Sequence, residues 1–530
     1  MPNRLAWASA LLAITIWGVG HSAVSAADEP KGGSAAEADE AVFPLQEVQI
    51  LSISSNPSLV SDLTRGARAE TQEQPHETVK SYPKLLSKKP IYGLIRLAPD
   101  PFQQESGTPF HFVADESGEK PAEETPAKEK EPEKESSILD TLSSALGIKK
   151  AVKPAAVEPP KLNNTYDRLY FDLNGDLDLT NDAVVTPMKE TPPSLVRRYS
   201  SLRQAVVFDE ITVSVDLGEE LGSRPVRLLP RLEIQEYEGK EYSGVGFISA
   251  VARKGSIKLG DQSYQAVLAQ RYLITGRYDC QYTALLLSSA SDPNSREYWW
   301  GSDQLNAMRL VDGTYYTTST TPAGDRLVVR PYRGPMGLLK IGPGDRDIDK
   351  LTIQGSLQSK ETAVAVGQLK TDGGRGLEPA SECRLPAGDY LPAYVTIEFG
   401  DLQLGISNNY HADGEPRGAD HSKAIHGIRI REDTPFVWDF STSPVVMFAS
   451  PAKDQTYKPG DEISVSGVLV DPKLGIMIRR LTDTGRQEEK TVQIGDGRTT
   501  TYKESVSLDP VVTITNAAGK QIAEGPMPFG

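Results

Sequence analysis

The chain has 530 residues, 38% of them hydrophobic, with 45 glycines and 38 prolines, a length that suits two to four domains each able to bury a core. Its formal net charge of -15 argues against nucleic acid and anionic lipid as partners, because an acidic surface repels phosphates, and favours divalent cations and basic groups. The only cysteines are Cys280 and Cys383, which excludes a disulfide-dense scaffold and a Cys-x-x-Cys redox or zinc site and leaves open whether the two pair.

Arg4, an apolar run over 5–19 and the small residues of 21–27, HSAVSAA, predict a secretory signal peptide over residues 1–26. The run is shorter than the ~20 apolar residues a membrane span needs, and no later segment is apolar enough to span. The mature chain is therefore expected to be exported to the periplasm, cell envelope or extracellular space, with no transmembrane span. Residues 27–41 read as a flexible leader and 42–250 as an N-terminal β domain, opened by VFPLQEVQILSI, PIYGLIRLA and FHFVAD, which are rich in aromatic and β-branched residues.

From 115 to 161 the composition turns to Lys, Glu, Pro and Ala, which cannot bury enough apolar surface to offset the entropy of ordering, so a disordered insertion is expected. Within it Ile138, Leu139, Leu142, Ala145 and Leu146 share one helical face, as either a transient helix or a docking helix. FHFVA before the insertion and RLYF after it both read as strands, so the insertion is expected to interrupt a hairpin.

The stretch 166–182, YDRLYFDLNGDLDLTND, holds the most specific chemistry. If Asp172 is the first position of an EF-hand-type calcium loop, Asn174 takes position three, Asp176 five, the Asp178 carbonyl seven and Thr180 nine, with Asp182 near the closing position. Leu177 stands where the turn wants glycine and Ala183 where a bidentate glutamate closes the site, so the expected affinity is weak, about 0.1 to 1 mM. The rival arrangement is a strand edge with all carboxylates on one face, where like charges repel by roughly 2 to 3 kcal/mol per pair.

Beyond residue 186 short alternating segments with Gly and Asp turns predict antiparallel strands, including a hairpin around Pro322, Ala323, Gly324 and Asp325. A central β domain is expected over 251–443. His411, His421 and His426, with Asp413 and Asp420, are a candidate transition-metal set or a polar loop. Among Tyr298, Trp299 and Trp300, adjacent strand residues face opposite ways, so one Trp is expected in the core. Six or seven short strands over 444–530 fit an immunoglobulin-like sandwich without its cysteine pair or central Trp. The fold class is all-β, mostly antiparallel and multi-domain.

Zincin, nucleophile-elbow, phosphate-loop and dinucleotide signatures are missing, and Ser81-Tyr-Pro-Lys84 lacks the companion motifs that would make it a β-lactamase-type site. The balance leans to a non-catalytic structural or binding protein of the envelope, with an envelope protein or polysaccharide as partner. An envelope hydrolase acting on polysaccharide or peptide is the alternative. FDLNGDLDLTND, GSIKLGDQSYQAVL, GDYLPAYVTIEF and ITNAAGKQIAEGPMPFG together resemble a group of uncharacterised exported β-rich proteins of planctomycete bacteria. That resemblance implies export and an Asp-x-Asn-x-Asp-Gly-Asp loop, from which Leu177 departs, and implies no activity.

Overall fold

The computed structural model describes residues 40–53, 57–98, 106–117, 166–196, 202–237, 240–280, 283–290, 303–342, 351–359, 362–369, 377–406, 427–439, 444–450, 455–458, 461–471, 476–494 and 498–527. The expected signal peptide, residues 27–39 of the leader, the insertion from 118 onward, Tyr298, Trp299, Trp300, His411, Asp413, Asp420, His421 and His426 lie outside them. The described structure is 61% strand and 3% helix, so the chain is all-β. Its ladders are antiparallel except where Met336–Gly342 runs parallel to Phe436–Asp439. No helix among the described residues is long and apolar enough to cross a membrane.

The alternating segments fold as their periodicity requires. Ile211–Asp216 buries Ile211, Val213 and Val215 and exposes the residues between them, turning one face to a core shared with Phe112, Phe171 and Phe247. The hairpin around residues 322–325 forms between Thr314–Thr320 and Arg326–Pro331, with Gly324 at φ 68° in its turn. Beside it Arg309 is fully buried, and its guanidinium donates to the carbonyls of Ala307, Leu285 and Gln304 and to the Thr318 hydroxyl. Burial brings its pKa down to about 10, and these acceptors tie Ala284–Ser289 to Thr314–Thr320 through one cation.

Strand pairing runs across both expected domain boundaries. Ala41–Pro44 pairs with Arg326–Pro331 and Gln46–Gln49 with Val251–Leu259, so the start of the described chain is built into strands beyond residue 250. A nine-stranded sheet joins Thr352–Gln358 and Gly388–Phe399 to Leu402–Ile406, then Ile476–Ile494, Ser466–Asp471 and Val445–Ser450. Residues past 444 therefore enter a sheet begun before 360, and the separate hairpin Val511–Thr515 with Gln521–Pro526 completes them. These pairings do not establish an immunoglobulin-like sandwich.

Cys280 and Cys383 are not joined to each other by a disulfide. Cys383 is buried, and burial pushes its pKa up to about 11, which leaves it an inert core residue.

One four-stranded sheet positions the candidate site. Its order is Glu70–Gln72, Ile91–Leu97, Thr108–Asp115 and Arg168–Phe171. Thr108–Asp115 and Arg168–Phe171 pair antiparallel on either side of the insertion, Asp115 opposite Arg168 and Phe112 opposite Phe171. Alternation divides the sheet's residues between two faces. Phe110, Phe112, Leu169 and Phe171 join the large core, whereas Tyr92, Val113 and Tyr170 form a smaller one with Val79 and Leu179.

Candidate metal loop

The stretch after Phe171 leaves the ladder and closes into a loop held by its own carboxylates. Asp172 Oδ2 accepts the Leu177 N–H at 3.2 Å. Asn174 Oδ1 accepts from Asp176 N–H, Asp176 Oδ1 from Asp178 N–H, and Asp178 Oδ1 from Thr180 N–H, at 2.9, 2.8 and 3.0 Å. Each side chain thus caps the backbone two residues on, the turn habit of Asn and Asp. The loop is not a strand edge with one carboxylate face.

The sixth position explains how a loop lacking its glycine still turns. Leu177 adopts φ 66°, in the left-handed region, and Gly175 adopts φ 74°. The chain makes the required bend with a side chain present, at a cost of roughly 1 to 2 kcal/mol.

The segment 76–82 braces the loop from outside. The Lys80 N–H donates to the Leu177 carbonyl at 2.8 Å and the Leu179 N–H to the Ser81 carbonyl at 3.1 Å, forming a parallel bridge between Ser81 and Asp178. Lys80 Nζ donates to the Asp176 carbonyl at 2.8 Å. Leu179 is fully buried in the smaller core, with Tyr82 packed against it.

Of the six expected ligands, Asn174 and Asp176 share a side-chain network with Asn181, Asp178 pairs with Thr180, and Asp172 and Asp182 each hold a backbone N–H of the loop. Asn174 Nδ2 donates to Asp176 Oδ2 and to Asn181 Oδ1, and Asn181 Nδ2 donates to Asp176 Oδ2 at 2.8 Å. Asp182 Oδ1 accepts the Leu173 N–H at 3.2 Å. The Thr180 hydroxyl donates to Asp178 Oδ1 at 2.6 Å. Among the described residues no three His, Cys, Asp or Glu side chains stand as a metal-holding group, and Asp176 and Asp178 each accept a loop N–H with one carboxylate oxygen.

Two oxygens are left over. Asp172, with none of its surface exposed, keeps Oδ1 without a hydrogen-bond partner, and Asp182 does the same with Oδ2. Burial, then repulsion from Asp172, Asp176 and Asp178, raises the Asp182 pKa above the ordinary carboxylate value. Asp176, exposed, is lowered by the hydrogen bonds from Asn181 and from the Asp178 N–H. The loop therefore holds uncompensated negative charge at its buried end.

Lys80, Ser81, His111 and Asn181 belong to the site but not to the sequence pattern. Asn181 stood inside the motif; Lys80 lies 96 residues from the carbonyl it touches, and only strand pairing brings His111 near. The chain matches no protein family model, no curated protein and no solved structure.

Proposed function

We propose that this is an exported, non-catalytic β-rich protein of the cell envelope or periplasm, a structural or binding module that takes calcium weakly at the 172–182 loop. The observation that carries the reading is Asp172: a fully buried carboxylate with one oxygen spent on the turn at Leu177 and the other without a partner. An unpaired buried carboxylate oxygen is costly, and a hard cation satisfies it while cancelling the repulsion felt at Asp182. Asp172, Asp182, Asn174 Oδ1 and the Asp178 carbonyl supply the oxygen set that calcium prefers. Asp176 and Thr180 join it by turning from their present backbone and side-chain partners.

Calorimetric titration of the full chain tests the metal directly. Calcium is expected to bind with a Kd of about 0.1 to 1 mM and magnesium to substitute poorly, because it dehydrates reluctantly. Equal binding by the Asp172→Ala variant would remove the loop from the reading. Turnover of any glycan or peptide in a substrate panel, lost on a single Asp or Glu substitution, would overturn the non-catalytic part.

A further inference from the structure

Two histidines close on one hydroxyl beside the loop. His111 lies in Thr108–Asp115, 3% exposed, with Nε2 3.0 Å from Thr78 Oγ1. His76, half-buried, belongs to the brace at 76–82, and its Nδ1 is 2.8 Å from the same oxygen. The two rings meet edge on, their centroids 4.7 Å apart.

Both rings are anchored through their backbones. The His76 N–H donates to the Tyr82 hydroxyl at 2.8 Å and the His76 carbonyl accepts the Val79 N–H at 3.1 Å, with Val79 and Tyr82 packed in the smaller core. His111 is held in the ladder, its carbonyl accepting the Asp172 N–H at 2.9 Å. Thr78 between them is exposed, so its side chain has solvent to turn into.

The contacts of Thr78 fix the tautomers. Its N–H points to His76 Nδ1, at 3.5 Å, so that nitrogen is an acceptor and takes the hydroxyl proton as well. A hydroxyl has one proton to give, and its oxygen therefore accepts from His111 Nε2–H. His76 thus already presents a lone pair at the shared point. His111 presents one there once its proton moves to Nδ1, and Nδ1 has no hydrogen-bond partner to hold the ring in its present tautomer. Burial, then His76, then Arg96, lower the His111 pKa against a raising contribution from Asp172, which keeps the ring in the neutral form that ligates metal.

We propose that His76 Nδ1 and His111 Nε2 are the ligands of a second metal site, separate from the oxygen loop, that takes a late first-row transition ion, copper(II) ahead of nickel(II) and zinc. Imidazole nitrogen suits these ions, whereas calcium and magnesium prefer oxygen. The ion enters where the Thr78 hydroxyl now sits, the hydroxyl turning outward, and water fills the remaining positions. Zinc–nitrogen bonds are about 2.0 to 2.1 Å, so each ring closes on the shared point by about 1 Å. The site stands whether or not the loop takes calcium.

Copper titration followed by electron paramagnetic resonance tests it on the full chain carrying His411→Ala, His421→Ala and His426→Ala, which removes the other candidate histidine set. The expected spectrum is that of a copper(II) ion with two imidazole nitrogens. Adding His76→Ala to that background is expected to remove one of the two, while Thr78→Ala, Asp172→Asn and excess calcium leave both in place. A background chain whose copper lacks two imidazole nitrogens overturns the site, and that reading involves no change at 76 or 111 and so depends on no variant of the site folding. A two-nitrogen spectrum that His76→Ala leaves unchanged also overturns it, as does its loss in Asp172→Asn, which assigns the ion to the loop.

Discussion

Leu177 carries the local strain of the loop, because a branched side chain at φ 66° costs roughly 1 to 2 kcal/mol. Glycine there releases that strain and gives back about 0.5 to 1 kcal/mol in unfolded-chain entropy. The strain outweighs the entropy, so Leu177→Gly should leave the calcium-free melting midpoint unchanged or slightly raised and tighten calcium binding. A clear fall in the midpoint would show that Leu177 is held by packing instead. His111 gives a pH dependence of known sign. Burial, then His76, then Arg96, lower its pKa below 6.5 against a raising contribution from Asp172, so the unfolded chain takes up the proton first. Stability from neutral His111 is complete above 6.5 and is lost as pH falls from there through the lowered folded value. Melting at about pH 7.5 and about pH 5.5 should show a loss that His111→Asn reduces; the raised Asp182 acts in the opposite sense, so only the difference between the two proteins belongs to His111. At this scale the spacing of Asn174, Asp176 and Asp178 was legible because side chains capping two residues ahead leave a period of two, which Asp172 shares while capping Leu177. Thr180 follows the same pattern, and its hydroxyl donates to Asp178 Oδ1.

At the scale of elements, the site depends on a hairpin that survives an interruption. FHFVA and RLYF could be read as paired strands because each alternates between two apolar faces, and Thr108–Asp115 does pair with Arg168–Phe171. The base of the interruption is fastened by its own contacts. The Ser117 N–H and hydroxyl both donate to the Asp167 carboxylate, buried Asp115 accepts the Leu86 and Ser87 N–H groups at 2.9 and 2.7 Å, and the Tyr166 hydroxyl donates to the Lys89 carbonyl at 2.8 Å. None of these needs residues 118–165. Replacing that segment with a short Gly-Ser bridge should therefore keep the midpoint within about 4 °C, and a larger fall would mean that it contributes more than about 1 kcal/mol. The brace at 76–82 was not legible, since its polar residues HETVKSY carry no strand or helix period and dock by single backbone bonds at Lys80 and Ser81.

For the whole molecule, the class was legible and the boundaries were not, because a boundary depends on which edges meet and alternation is silent about partners. Ile476 lies in one core with Val395, Ile397, Ile406 and Trp438, and Ile406 stands opposite Ile478 in the ladder. Cutting at 444 exposes that seam at about 1.5 to 3 kcal/mol for each large aliphatic side chain uncovered. A fragment of residues 444–530 should accordingly show no cooperative thermal transition, and a sharp melt would restore it as a separate unit. The central claim concerns the intact chain and its loop. A cation that binds only the folded state stabilises it by RT ln(1 + [L]/Kd), so at a Kd of about 1 mM roughly 10 mM calcium adds about 1.4 kcal/mol. Calorimetric melting of the full protein in calcium and in chelator reads this directly: the midpoint should rise in calcium and the rise should vanish in Asp172→Ala, whereas identical melts of the unaltered protein in the two conditions would contradict calcium binding at the loop.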